Sequence, residues 1–372
     1  MIIRLNRSVR VRLFPCAITG GTMQEINFDY IGGVEQTLIL VDDTFSAALS
    51  SEIVRRIKGH KALIITDNRV GKLYLDRVMR ALKKPDTAVY AFEISAGEVS
   101  KSFATVERVL RKLSSLSFDR SDYIINLGGG VVSDLGGFAA SIYMRGINYF
   151  NIPTTLISII DSSIGGKTGV DFDGVKNSVG SFYQPKLIIS ALEFLATLPK
   201  QEVLSGLGEL AKYKFLTGMD FPLSYIETGK LDVDLIASCI KVKCSYVIGD
   251  EHDRGRRKLL NLGHTFGHAF EAASSFTLSH GEAVSLGLYA EAVFGAAIGI
   301  VDPSTPDMIK ATLDGLGLAT DYSRYTRTAS RYLAHDKKCN GGAIDMAFVR
   351  SIGEPFLQSI PIDTAIEFIE AK

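Results

Sequence analysis

Three of the chain's six histidines, His264, His268 and His280, fall within the stretch LNLGHTFGHAFEAASSFTLSHGEA. His264 and His268 stand four apart, a spacing that puts both rings on one face of a helix. Neutral imidazole suits Zn²⁺, and a catalytic zinc takes three protein ligands and keeps one position open. Glu209, in SGLGELAKYKF, supplies a carboxylate that could complete a two-histidine, one-glutamate set. Spacing alone does not choose which two histidines join it. The HTFGH spacing lacks the glutamate general base of an HExxH helix, so a metalloprotease is a poor reading. The bland alternative makes these histidines satisfied core residues and Glu209–Lys212 a surface i,i+3 ion pair. Against it stand Gly206 and Gly208, poor helix formers that are better explained by something approaching this helix closely, which favours a site.

A second group of residues suits anions. In INLGGGVVSD an apolar run delivers Gly128, Gly129 and Gly130 to a helix start. Glycines let a pyrophosphate approach backbone N–H groups, and a helix N-terminus favours negative charge. The pattern is not GxGxxG, and glycine is also plain turn chemistry. The following stretch, NIPTTLISIIDSSIGGKTGVDFDGVKNSVGSFYQP, reads as a loop rich in Gly, Ser and Thr. It carries Asp161, Lys167, Lys176 and Asn177, and backbone N–H groups in such loops make anion-binding concavities. Arg145, Lys243, Arg257 and Lys338 add cationic groups for carboxylate or phosphate, although for each singly a solvated surface position is the more ordinary reading.

The elements that must position these residues are legible in outline. Short apolar runs at Thr37–Asp43, Ala62–Asp67, TAVYAFEI and Asp122–Leu127 alternate with helical periods in TFSAALSSEIVRRI, LYLDRVMRALKK and SFATVERVLRKLSSL. This rhythm predicts an α/β domain with a doubly wound, mostly parallel, Rossmann-like sheet, whose ligands bind at the carboxyl ends of the strands. After Pro199 every periodic segment reads as helix. The expected domains are therefore 1–198, α/β, and 199–372, mainly α-helical, with the metal candidates in the second.

The 41 basic and 41 acidic residues balance, which speaks against a nucleic-acid footprint or a basic membrane surface. No apolar run approaches the length of a membrane span. Cys16, Cys239, Cys244 and Cys339 lack CxxC spacing and are expected to be reduced thiols of a cytoplasmic protein. The first 22 residues are rich in arginine and free of acids, like a transit peptide. Serines are few there, however, and Arg10 and Arg12 alternate with Val9, Val11 and Leu13 as in a strand. The plainer expectation is an extension from an upstream start, with the functional chain beginning near Met23.

At these residues the chain closely resembles the 3-dehydroquinate synthase family of the sugar-phosphate cyclase superfamily. The blocks that carry the resemblance are SAGEVSK, GGGVVSD, YMRG, PTTL, DSSIGGKTG, KNSVGSFYQP, GELAKYK, LNLGHTFGHAFEA and HGEAV, spread over roughly residues 60 to 340. The resemblance implies a dehydroquinate synthase-like fold and a lyase that uses NAD and a divalent metal, zinc or cobalt. Its substrate would be 3-deoxy-arabino-heptulosonate 7-phosphate. Carried over by position, Glu209, His264 and His280 become the metal ligands, and His268 a substrate-phosphate contact. Asp67, Gly97, Glu98, Lys101, Gly129, Gly130, Val131, Asp134, Thr154, Thr155, Phe194 and Thr197 become NAD contacts, joined by Lys167 and Lys176, with Asp67 on a ribose hydroxyl. Asp161, Lys167, Lys176, Asn177, Lys212, Lys243, Arg257, Asn261 and Lys338 become the substrate shell. Arg145 would reach the phosphate across a homodimer interface.

The implied reaction is transient oxidation by NAD, elimination of phosphate, re-reduction and aldol closure, a step in aromatic amino acid biosynthesis by the shikimate route. Two departures flank the metal helix: Gly208 stands where the family often has alanine, and Lys214 where it often has glycine. Three rival readings are a sister cyclase making an amino-dehydroquinate or related cyclitol product, a metal-dependent polyol dehydrogenase of similar fold, and a non-catalytic binding module. The dehydrogenases resemble TTAGTGSE after the strand, where this chain reads PTTLISIIDSSIGGKTG. A binding module would have lost ligands or shell lysines that this chain keeps.

Overall fold

The computed structural model describes residues 9–15, 22–29, 36–219, 231–275, 277–333, 339–340 and 342–372. They form two compact units, one of residues 1–198 and 231–252, the other of 199–230 and 253–372.

The first unit is built on an eight-stranded sheet. Its strands are β1 (Val9–Pro15), β2 (Thr22–Asp29), β3 (Gln36–Asp42), β4 (Lys61–Asp67), β5 (Ala88–Ile94), β6 (Tyr123–Gly128), β7 (Asn148–Pro153) and β10 (Leu187–Ala191). They lie in the order β1-β2-β3-β10-β7-β6-β4-β5. The six strands from β3 to β5 pair in parallel, and β1 and β2 add an antiparallel edge. Helices cover both faces: α1 (Ala47–Ile57) and α2 (Asp76–Leu82) one, α3 (Phe103–Ser115) and α4 (Gly130–Ile142) the other.

The period-2 pleat decides which residue meets which helix. Ala62 and Ile64 pack toward Leu49, Ile53 and Val78, whereas Leu63 and Ile65 pack toward Val106, Val109 and Leu113. All ten of these side chains are fully buried. This explains why the β4 run ALII shows no alternation of polarity: a parallel strand is buried on both faces. Side-chain caps start the helices, with Ser46 accepting from Leu49 N–H and Ser102 from Thr105 N–H.

Three differences from the sequence reading stand out. Val9–Pro15, expected to lie in an extension, pairs in register with β2, in keeping with its strand-like alternation. The stretch read as a Gly/Ser/Thr loop contains a hairpin, β8 (Lys167–Phe172) and β9 (Val175–Phe182). Its turn is Asp173-Gly174, both at positive φ, and Asp-Gly between strands is the signature of a two-residue hairpin turn. Finally α6 (Val233–Val247), expected in the helical domain, belongs to the first unit. It packs on β2 and on the turn Ser158–Ser162, and an apolar helix face does not reveal from sequence which sheet it will cover.

The second unit holds α5 (Lys200–Thr217), α7 (His264–Ala273), α8 (His280–Ala297), α9 (Thr305–Gly315), α10 (Thr326–Leu333) and α11 (Ile362–Glu370). A three-stranded antiparallel sheet joins them: β11 (Cys339–Asn340), β12 (Ala343–Val349) and β13 (Pro355–Pro361). Its core centres on Phe294, whose ring lies 5.6 Å from Phe266, 4.9 Å from Phe368 and 6.2 Å from Phe348. Among the described residues no helix is long and apolar enough to cross a membrane.

Candidate functional site

In the second unit, α5, α7 and α8 meet through glycines. A Cβ on Gly208 would stand 2.2 Å from the carbonyl oxygen of Gly281, and one on Gly281 would stand 1.7 Å from that of Ser205. The Gly281 N–H donates to Ser205 Oγ at 3.0 Å. Similarly, a Cβ on Gly287 would meet Gly263 O at 1.9 Å. What approaches Gly208 so closely is therefore the backbone of a neighbouring helix, not a ligand. The approach places Glu209, next along α5, beside His280, the first residue of α8. The departure to glycine at 208 is what this separation requires.

Glu209 is 1% exposed, and its Oε1 lies 3.3 Å from His264 Nε2 and 3.1 Å from His280 Nε2. Its Oε2 lies 2.5 Å from Lys212 Nζ. The ligand nitrogens of His264, His268 and His280 all fall within 4.8 Å of one another. Both inward-facing rings are backed on the far side. His264 Nδ1 is 3.0 Å from Leu262 O, and His280 Nδ1 is 3.6 Å from Glu271 Oε2. A ring that donates from Nδ1 presents the Nε2 lone pair inward, the usual arrangement of a metal-ligating histidine.

The electrostatics agree. Burial disfavours the Glu209 charge, but Lys212 and His264 outweigh it and hold the carboxyl well below its ordinary value. Burial lowers the His264 pKa, keeping that ring neutral. His280, half-buried, is raised to about 9: burial opposes its charge, and Glu209 and Glu271 outweigh it. Two carboxylates that draw positive charge to this point, beside imidazole nitrogens, form a donor set that fits a divalent ion. His268 is exposed, on the rim of the cluster. Arg257 is buried, Asn261 half-buried, and both belong to the turn Arg256–Asn261 just before α7.

In the first unit, the strand order reverses between the parallel strands β4 and β6: from β4 the next strand, β5, is added on one side, and from β6 the next, β7, on the other. Ligands of such sheets bind at the carboxyl ends beside that switch. Asp67 ends β4, and Gly128 ends β6. Asp67 Oδ1 accepts from the N–H groups of Arg69 and Val70 at 2.8 and 3.0 Å. Gly129 precedes α4, whose first turn has no side-chain cap. Side chains on Gly129 and Gly130 would press on Thr155 (2.9 Å) and Ser162 (3.1 Å). The hydroxyls of Thr154, Ser158 and Ser162 are buried without a hydrogen-bond partner. Uncapped amides, a cradle that a Cβ would fill and orphaned hydroxyls fit a bound dinucleotide.

Around this crevice Lys101 is 5% exposed and donates to Asp134 Oδ2 at 2.7 Å and Asn177 Oδ1 at 2.5 Å. Glu98 Oε1 lies 3.9 Å away, in the turn that follows Gly97 (φ 103°). Burial opposes the Lys101 charge, but Asp134, Glu98 and Asp171 raise its pKa; burial raises that of Asp134. Lys243, for which a surface position is the ordinary expectation, is buried and donates to Asp161 Oδ1 at 2.6 Å. Lys167, Lys176 and Asn177 lie exposed on the β8–β9 hairpin, and Val131 is half-buried in the first turn of α4.

Thr197 Oγ1 is 2.5 Å from Tyr74 Oη. Phe194 puts its ring in the core, 4.6 Å from Tyr74, so its side chain is structural. Arg145 is exposed in a turn where Met144, Arg145 and Gly146 have φ of 49°, 66° and 119°. Lys338 lies outside the described residues. Sequence reasoning missed Glu271 and Glu291. Each carried a signal, as an acid flanked by apolar residues within a helix, and Glu271 stands two turns after His264.

Fold and clusters together define a class, the dehydroquinate synthase-like proteins of the sugar-phosphate cyclase superfamily. Family profiles described as 3-dehydroquinate synthase N-terminal and C-terminal match residues 91–205 and 206–339. The 3-dehydroquinate synthase of Rhizobium johnstonii is 36% identical over 90% of this chain and 93% of its own. That of Lactiplantibacillus plantarum is 40% identical over 80% and 85%. Among solved structures, 2-epi-5-epi-valiolone synthase of Streptomyces hygroscopicus subsp. jinggangensis 5008, with NAD⁺ and Zn²⁺ bound, superposes with a TM-score of 0.78 at 25% identity. The match covers 90% of this chain and 97% of that one. The chain belongs to the 3-dehydroquinate synthase family.

Proposed function

We propose that this chain converts 3-deoxy-arabino-heptulosonate 7-phosphate to 3-dehydroquinate and phosphate. The observation that carries the reading is the convergence of two imidazole Nε2 atoms on the buried carboxylate of Glu209, in a chain of this family. Glu209, His264 and His280 would hold a divalent metal, and the β4–β6 crevice NAD. When bound, the metal supplies Lewis acidity toward substrate hydroxyls and NAD a reversible hydride acceptor.

The chain's own residues do the rest. Lys212 keeps Glu209 ionised. Leu262 O and Glu271 orient the two rings. His268 on the rim, with Arg257 and Asn261, suits the substrate's anionic groups. Asp161 holds the Lys243 ammonium in place. Lys101 ties Asp134 to Asn177 of the hairpin, so the nucleotide crevice and the substrate lysines on that hairpin form one structure. Arg145, in its strained turn, is read as the phosphate contact across a homodimer. The buried thiols Cys239 and Cys244 fit a reducing compartment, the cytoplasm.

The test supplies the heptulosonate phosphate, NAD⁺ and Zn²⁺ and follows inorganic phosphate and product. Equimolar phosphate and dehydroquinate, with no net NADH, is the expected result. Phosphate release with a different cyclic product favours a sister cyclase, and stoichiometric NADH without phosphate overturns the reading in favour of a dehydrogenase.

A further inference from the structure

Helix α7 begins at His264 without a cap of its own. The residue before it, Gly263, sits at φ 79° and has no side chain to accept from the first-turn amides. Those amides are buried, and leaving them unpaired would be costly. The acceptor comes from α8. Glu291, 1% exposed, accepts the N–H of Gly263 on Oε2 at 2.7 Å. It accepts those of Thr265 and Phe266 on Oε1 at 2.9 and 3.2 Å. Three bonds to one carboxylate, at the positive end of a helix dipole, stabilise a charge that is otherwise costly to bury.

We infer that Glu291 is a positioning residue for the metal centre: it caps α7 from α8 and so sets the orientation of His264, which the bonded amides bracket. This inference rests on the metal reading above. The coupling is local. A Cβ on Gly287, one helical turn before Glu291, would overlap Gly263 O at 1.9 Å, so α8 and the start of α7 touch at backbone distance. His264 Nδ1 is held by Leu262 O, one residue before Gly263. Freeing the Gly263 amide loosens both the helix start and the carbonyl that orients the ring.

The experiment uses full-length apo-protein and Glu291→Gln, which keeps the shape but loses the charge and turns an amide –NH₂ toward N–H donors. Zn²⁺ affinity is measured by competition with a chromophoric chelator, and the Co²⁺ form by its visible absorption. The expected result is affinity lower by about 10- to 100-fold, as for other groups that orient metal ligands, with a changed Co²⁺ band. As a control, Asp232→Ala removes the cap of α6 in the first unit and is expected to lower stability while leaving both readouts unchanged. A folded Glu291→Gln with wild-type affinity and spectrum overturns the role of Glu291. A wild-type protein that binds neither ion overturns instead the metal reading on which it rests. Should Glu291→Gln not fold, hydrogen exchange on wild-type protein decides: Thr265 and Phe266 amides should be protected like core amides, and exchange at unprotected rates overturns the inference.

Discussion

At the scale of single residues, the centre is a contest between burial and charge. Glu209 is a carboxylate in the interior that stays ionised because Lys212 and two imidazoles surround it. His264 and His268, four apart and equivalent by spacing, end in different surroundings, one buried and the other exposed. Their substitutions should therefore separate. His264→Ala or Glu209→Ala should weaken Zn²⁺ binding by about 100-fold or more and abolish turnover. His268→Ala should leave metal affinity within about threefold and raise KM for the phosphorylated substrate, losing one charge-assisted contact of about 2 kcal/mol. Chelator competition and steady-state kinetics on the same preparations check both, and a His268→Ala protein that loses its metal would make His268 a ligand.

At the scale of elements, close helix packing carries the site. Gly208→Ala adds one methyl group where 2.2 Å separates its position from Gly281 O. The helices α5 and α8 must part, so a stability loss of about 1–3 kcal/mol is expected in denaturant unfolding. Zn²⁺ affinity should fall as well, because Glu209 and His280 move apart.

A second prediction concerns the sheet unit. Glu193 accepts from Arg77 Nη1 at 2.9 Å and Nη2 at 2.7 Å, and also from the N–H of Phe45. Burial opposes its charge, but Arg77 and Phe45 N–H lower its pKa overall. A lowered folded-state pKa adds stability that is present above the unfolded glutamate pKa of about 4.3 and is lost as pH falls through the folded value. Glu193→Gln should thus cost about 1 kcal/mol at pH 7, discounted because Arg77 is partly exposed. The difference from wild type should vanish at more acidic pH; unfolding curves at both pH values measure it.

At the scale of the molecule, the two units carry different candidate sites, a glycine-lined crevice at the strand ends in one and a histidine–glutamate cluster in the other. A ligand that binds only the folded state stabilises it by about 2.7 kcal/mol at one hundred times its Kd. Zn²⁺ should therefore raise the Tm by about 5 °C or more and slow amide exchange around residues 263–291, leaving the strands β4, β6 and β7 unaffected. EDTA should reverse both, and His280→Ala should show neither. Calorimetry and hydrogen exchange of the same samples check this.

What the sequence by itself determined is the periodic part of the protein. The βα rhythm and the helices α5, α7, α8 and α9 follow from local hydrophobic period, which reports directly on burial; the small sheet β11–β13, beyond Pro199, departs from the all-helical reading of that half. The crowding of histidines and the glycine turn marked where chemistry lies, and the family blocks proposed which groups act together.

Only the tertiary structure decided three things, each because it depends on residues far apart in the chain. It brought His264 and His280 to one oxygen of Glu209, since helical spacing says nothing of a partner 71 residues away. It returned α6 to the sheet unit. It also turned Gly208 from a sign of a ligand into the contact that lets two helices close. Close approach and capping are properties of pairs of elements, and a single element's sequence records only half of each pair.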